Sequence, residues 1–385
     1  MALNARQSLR TFAVHEFAPA VSIWGGVVLA LVWSALFSTN YQRIVNGAWK
    51  IDWAKTVGLN SSHQLIASGL MTLFFFAIGL ELAREISSGF LTSRRQSLAP
   101  IMGALGGMCV TALLSVVVGN FSHSEALRSG WGVPMATDVA FTLGALALVG
   151  SRLPRSLRTF LLALAVADDV ASVTVLAFNG HLHIRPWWLL VTLLLIVGAR
   201  RIARVRSRAS LRALFLLLLW LSLLGSGIEP PLAGILAAVT VPLDAELGLA
   251  LERQMSQWSA MFVLPLFAVA SCGVRWDLLR SRASVTIIIA TIAIRLVGKT
   301  IGIMGGVALA RAVGSRVHHE ITWPMLFGSS LLCAIGFTVP LLFASALFST
   351  NGSIYGAFAA GLLAASVLAA VGGVMILRRV SPSLS

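Results

Sequence analysis

Charge is what this sequence has least of. Only 11% of its 385 residues are charged, against about 25% in soluble globular proteins. Hydrophobic residues make up 57%, and the mean hydropathy is +0.88. So few polar side chains cannot coat a domain in water. That excludes a cytosolic enzyme, a secreted disulfide scaffold and a disordered chain. A membrane β-barrel is excluded too, because its strands are short and alternate, whereas these apolar runs are continuous. Cysteine is scarce: Cys109, Cys272 and Cys333 all lie in apolar runs at unrelated spacings and read as core filler. None of the seven histidines sits deep in an apolar run, so a histidine metal site is not expected. Lysine is nearly missing, with three residues, Lys50, Lys55 and Lys299, against 26 arginines. What remains is an all-α polytopic membrane protein, built from apolar stretches of about 20 residues.

Twelve spans can be read, near 18–37, 64–86, 99–119, 130–149, 157–178, 187–203, 211–227, 230–248, 256–274, 285–308, 325–348 and 355–377. They form a single membrane transporter domain over 1–385, since no soluble region is large enough to stand apart. The net charge of +15 serves orientation. Termini and loops between even and odd spans hold about 18 basic residues, the opposite loops about eight, which places both termini in the cytoplasm. Arg6, Arg10, Arg94, Arg95, Arg152, Arg155, Arg158 and six arginines from Arg200 to Arg212 carry that bias. No basic stripe carries the interleaved aromatics of a nucleic-acid surface, so no nucleic-acid partner is expected. Tyr41, Trp49 and Trp53, in the polar stretch after the first span, read as interfacial anchors.

Two spans cannot be continuous helices. The fourth contains Gly132-Val133-Pro134-Met135-Ala136-Thr137-Asp138, and the eleventh Cys333-Ala334-Ile335-Gly336-Phe337-Thr338-Val339-Pro340. Unwound backbone at membrane depth survives only inside protein or beside water. The two breaks occupy the same place in two triplets, spans 3–5 and 10–12. This predicts inverted-topology repeats, about 99–178 and 285–377, with the remaining spans as scaffold.

Charges inside a membrane are expensive and mark function by default. Thr137 and Asp138 offer a hydroxyl and a carboxylate, the oxygen ligands a small hard cation prefers; capping of the break is the plainer reading. Asp168 and Asp169 are adjacent, about 100° apart on a helix, so they can face different partners at one depth. Two carboxylates so close do not both ionise cheaply, as exchange of H+ for a metal cation requires; the plainer reading is one structural salt bridge and one neutral acid. Lys299 needs an aspartate partner at its depth, whether for structure or for proton carriage. Arg295, one turn earlier on the same face, has two readings: a second cation acting on Lys299, or a side chain snorkelling to the interface. Glu81, Arg84 and Glu85, with Glu252 nearby in sequence character, are either a cytoplasmic funnel or pH-sensing cluster, or an ordinary solvated helix end.

These residues bring a family into view. The stretches Phe74-Phe75-Phe76-Ala77-Ile78-Gly79-Leu80-Glu81, Ala136 to Phe141, Ala165 to Asp169, Leu264 to Ala268, Gly298-Lys299 and Ile335-Gly336-Phe337-Thr338 together resemble the NhaA-type Na+/H+ antiporters of bacterial inner membranes. The resemblance runs over nearly the whole chain. It implies that Asp169 binds the cation, that Asp168 forms a salt bridge with Lys299, and that Thr137 and Asp138 sit where two interrupted helices cross. It also implies electrogenic exchange of Na+ or Li+ for more than one proton, an inner-membrane location, contact with lipids, and a homodimer. No cofactor and no bond chemistry are implied, so the chain is not expected to be an enzyme.

The sequence departs from the family pattern in places. A histidine tied to pH response is replaced, in Ser226-Gly227-Ile228-Glu229, by Glu229. An aspartate often found early in span two is replaced near Ser68, and Pro340 and Arg295 stand where other residues are expected. Rival readings explain less. A Na+-coupled symporter of organic anions needs a larger polar cavity and has no use for Lys299 beside two aspartates. An intramembrane aspartyl protease would bring a Gly-x-Gly-Asp pattern that is missing, and a channel would not need paired titrating acids.

Overall fold

A computed structural model describes residues 21–48, 60–87, 94–149, 153–179, 185–203, 209–226, 229–241, 246–315, 317–348, 350 and 352–380. Trp49, Trp53, Lys50, Lys55, Arg6, Arg10, Arg152, Gly227 and Ile228 lie outside them. The described residues are helical and contain no strand. Five helices are long and apolar enough to cross a membrane: Ser62–Glu85, Ser97–Phe121, Ser156–Ala177, Arg282–Ala312 and Ser353–Val380. Val21–Leu36 and Ser38–Asn46, bent by 119° at their junction, add a sixth if taken as one broken span.

The chain divides into two compact units. The first comprises Met1–Trp24, Phe90–Ser172 and Val274–Ser385. It contains α1 (Arg94–Phe121), the short α2 (Glu125–Ser129), α3 (Val139–Val149), most of α4 (Arg155–Asn179), α5 (Arg282–Ala312), α6 (Trp323–Leu332), α7 (Thr338–Leu347) and α8 (Ser353–Val380). Helix starts are marked as sequence chemistry dictates. Ser124, Ser281 and Thr322 each accept a backbone N–H with their side-chain oxygen, and Pro324 sits in the first turn of α6, where it forfeits no hydrogen bond.

α1 is 28 residues long, which makes it about 42 Å. It packs against α5 through reciprocal glycines: Gly103, Gly106 and Gly107 face Gly302, Ile303 and Gly306. A Cβ at Gly106 would meet the Gly302 carbonyl, and one at Gly302 the Gly106 carbonyl. Small residues spaced by three let two apolar helices approach closely where lipid supplies no hydrophobic drive. α5 is not regular throughout, since Ile294–Lys299 form a π-helical turn that carries both Arg295 and Lys299. Such turns recur at functional sites.

The second unit comprises Gly25–Gly89 and Val173–Gly273. Its core gathers Phe76, Leu80, Leu219, Leu223, Ala233 and Ala237. Tyr41, expected at the interface, is instead 1% exposed, and its hydroxyl donates to the Val269 carbonyl at 2.7 Å while accepting the Gly273 amide at 3.2 Å. Gly273 is required there because any Cβ would enter the Tyr41 ring. His63 is also buried, 3.3 Å from the Ser271 hydroxyl. Of the cysteines, Cys272 and Cys333 are buried as expected, but Cys109 is exposed because α1 turns its glycine stripe, not Cys109, towards α5.

Candidate functional site

Both interrupted spans lose their helix, over residues 130–138 and 333–337. After a turn at 130–135 the chain is non-helical at 136–138 and then enters α3; after α6 and a turn at 333–334 it is non-helical at 335–337 and then enters α7. The two breaks meet. The Asp138 amide donates to the Ile335 carbonyl at 2.9 Å. The Thr137 hydroxyl donates to the Cys333 carbonyl at 2.8 Å, and Thr142 to the Leu332 carbonyl at 3.3 Å. Gly336 donates its amide to Ser366 of α8 at 3.1 Å.

Each break exposes backbone groups that a continuous helix would pair. Carbonyls of the turn and non-helical residues lack their usual N–H partners, and α3 and α7, which follow, begin with amides of partial positive charge. Asp138 serves the positive ends. It immediately precedes α3, and its Oδ2 accepts the Thr338 amide of α7 at 3.3 Å. The carbonyls at the breaks are served from α5, with a partner from α4. Lys299 donates to the Met135 carbonyl and, at 2.6 Å, to Asp168 Oδ1. Asp168 Oδ2 in turn accepts the Thr137 amide at 2.6 Å.

Thr137, Asp138, Asp168, Asp169, Arg295 and Lys299 are all at most 3% exposed, and all lie in the first unit. Asp168 commits both oxygens to the crossing, and Asp169 stands next to it in sequence, 2% exposed. Arg295 does not snorkel. It is wholly buried, because the π-helical turn aims it at the breaks: Nε reaches the Ala334 carbonyl at 2.9 Å, Nη1 that of Pro134 at 3.0 Å and Nη2 that of Ala136 at 2.9 Å. Three carboxylates, two cations and a hydroxyl are thus enclosed around the two breaks, an arrangement able to hold a small cation or protons and ill suited to a large apolar ligand.

The remaining candidates lie elsewhere. In the second unit, Arg84 pairs with Glu85 at 2.8 Å and Glu252 at 2.9 Å, and Glu81 is within electrostatic reach of all three. Three acids around one arginine make a locally negative cluster, more than an isolated ion pair. Glu229, between two helices, is partly buried, and burial pushes its carboxyl up to about 7.

Some contributors were not found from sequence. Thr142, one helical turn after Asp138, and Ser366, inside the last span, gave only the weak signal of a polar residue in an apolar run. Trp24, Phe141 and Phe337 form an aromatic cluster beside the breaks, with the Phe141 and Phe337 rings 4.8 Å apart and Trp24 at 5.6 and 6.2 Å from them. Phe141 and Phe337 fall in the stretches that carry the resemblance, but nothing in the sequence marked the three rings as a cluster.

Comparison with known proteins places the chain. Residues 10–377 match the family model described as Na+/H+ antiporter 1. The Na(+)/H(+) antiporter NhaA of Aeromonas salmonicida is 37% identical over 387 residues, covering 97% of this chain and 96% of that protein. The Na(+)/H(+) antiporter NhaA 1 of Erythrobacter litoralis is 34% identical over 390 residues, covering 96% and 95%. A solved structure, the sodium proton antiporter MjNhaP1 from Methanocaldococcus jannaschii at pH 8, superposes with a TM-score of 0.57 over 99% of this chain and 100% of its own, at 12% identity, which is a likeness of fold. The chain belongs to the Na+/H+ antiporter 1 family.

Proposed function

We propose that this protein exchanges Na+ or Li+ for protons across a bacterial inner membrane, with Asp169, Asp138 and Thr137 as cation ligands and Asp168 with Lys299 as a proton-carrying pair. The observation that carries this reading is the enclosure of Asp138, Asp168 and Asp169 with Lys299 around two helix breaks that meet. Na+ takes hard oxygen ligands, and this site offers carboxylates and a hydroxyl. The Thr137 hydroxyl donates its hydrogen to Cys333, so its lone pairs remain available to a cation.

Coupling follows from charge. A cation arriving among buried carboxylates favours their ionised forms and expels protons; protons arriving do the reverse. Na+ and H+ therefore occupy the site in turn, and the inward proton gradient drives Na+ out. Unequal numbers of the two make the exchange electrogenic. In this reading the protein has twelve spans with cytoplasmic termini, its first unit holds the inverted repeats, and it works as a homodimer among lipids. The acidic cluster of Glu81, Arg84, Glu85 and Glu252 draws cations and senses cytoplasmic pH, and Glu229 takes part in setting the working pH.

The test is transport by purified protein in liposomes with an acid interior. External Na+ or Li+ dissipates the pH gradient, and K+ does not. Failure of Na+ to do so anywhere between about pH 6 and 9 would overturn the reading, since the coupled acids should titrate within that window.

A further inference from the structure

Arg295 is among the largest side chains wholly shielded from solvent, and its three hydrogen bonds go to backbone carbonyls. Pro134 lies in the turn and Ala136 in the non-helical backbone of one broken span, and Ala334 in the turn that follows α6 in the other. Carbonyls of such backbone lack the N–H partners a continuous helix would supply. The neighbouring carbonyls are taken as well: Met135 by Lys299, Cys333 by Thr137, Leu332 by Thr142. One planar guanidinium thus bridges the two chain breaks, whose carbonyls its fork geometry reaches together. The fit is close, since a Cβ on Gly336 would stand 2.6 Å from Nη2 of Arg295 and 2.7 Å from the Ala136 oxygen.

Two cations share this crossing, and they differ in chemistry. Lys299 can release its proton, whereas an arginine does not. We propose that Arg295 is a positioning residue, a permanent positive charge that clamps the two broken spans together through the backbone carbonyls of Pro134, Ala136 and Ala334. The role rests on the exchange reading for its purpose and on the carbonyl geometry for its existence. It also accords with the ligands assigned to the cation: the carbonyls at the breaks accept from side-chain donors, and Na+ is given the carboxylates and the Thr137 hydroxyl. The charged and titratable groups facing the guanidinium are Asp138, Asp168 and Lys299, with the Cys333 thiol beside Lys299.

The test compares Arg295→Gln, which removes the charge, with Arg295→Lys, which keeps it and shortens the reach. Na+-driven proton movement is followed in liposomes across pH and Na+ concentration. Removing a fixed positive charge from an enclosed site favours bound protons, so R295Q should move the half-maximal pH upward by about one unit. R295K should keep the parent profile and slow turnover at saturating Na+ by roughly tenfold, about the effect of a weakened clamp. A monodisperse R295Q with the parent profile and rate would overturn the proposal, as would R295K and R295Q sharing one shifted profile. If R295Q does not purify, Gly336→Ala disturbs the clamp with the charge retained. It should slow turnover with the half-maximal pH unchanged, and a parent-like rate would count against the clamp.

Thermal unfolding in detergent reads the clamp without transport. R295Q should melt below the parent and R295K between them, and equal melting of R295Q and parent overturns the proposal even if exchange is confirmed. A parent that moves no protons contradicts the exchange reading alone.

Discussion

Asp168 and Lys299 face each other at 2.6 Å with both side chains wholly removed from solvent. Taking either charge away strands the other. Asp168→Asn or Lys299→Met should each destabilise the protein by about 3–5 kcal/mol, the usual cost of an orphaned buried charge. The double variant should recover most of that loss, since it removes both charges, and a double-variant cycle of melting temperatures in detergent measures the coupling. Additive losses would mean that the two residues act independently.

The glycine contact between α1 and α5 extends to Lys299, because a Cβ on Gly107 would lie 3.3 Å from the Lys299 side chain. Gly302→Val should force α1 and α5 apart and destabilise by about 1–3 kcal/mol, as overpacking does elsewhere. The same substitution at Gly305, where a Cβ meets nothing within 4 Å, should be nearly neutral. Parallel melting curves of the two variants check the contrast.

Much of this site was legible in the sequence. Asp138, Asp168, Asp169 and Lys299 stood out because charge in an apolar run is rare, and the two breaks stood out because Gly, Thr and Pro do not sit together in a continuous membrane helix. What the sequence hid is where a cation pairs with backbone. Arg295 reads as a partner for an acid or as a snorkelling side chain, since nothing in its neighbours announces that carbonyls 161, 159 and 39 residues away converge on it. The π-helical turn that aims it has no composition of its own. Tyr41 was misplaced for a related reason: an amphipathic side chain near a span end fits the interface as well as a buried slot with carbonyl acceptors.

Glu229, which stands where the sequence resemblance implies a histidine, introduces a titration of its own. Burial raises its carboxyl from 4.5 to about 7, so the folded state holds a proton that the unfolded chain has released. Its contribution to stability is therefore complete below about 4.5 and is lost as pH rises through about 7. Glu229→Gln should flatten the fall in melting temperature between pH 5 and 8, most visibly at the alkaline end. It should also remove one titrating component from the pH profile of exchange. Melting scans at several pH values check the first outcome and liposome transport the second.

The acidic cluster around Arg84 offers a contrasting behaviour, because its charges are partly exposed. Arg84 keeps 31% of its side-chain surface accessible, so its pairs with Glu85 and Glu252 are screened by salt and worth about 0–1 kcal/mol. Glu252→Gln should change melting little, yet it should raise the Na+ concentration giving half-maximal exchange if the cluster gathers cations, an effect that fades at high ionic strength. Unchanged Na+ dependence at low salt would reduce the cluster to a helix-end ion pair.

The central claim is that Na+ and protons compete for the same enclosed carboxylates. Proton release on Na+ binding tests it most directly. Calorimetric titration of the purified protein with Na+, repeated near neutral pH in buffers of different ionisation enthalpy, counts the protons set free. The account predicts an apparent enthalpy that varies with the buffer and gives about one proton or more per Na+ bound. It also predicts no such signal with K+ or in Asp169→Asn. A Na+ binding enthalpy that is the same in every buffer would contradict it.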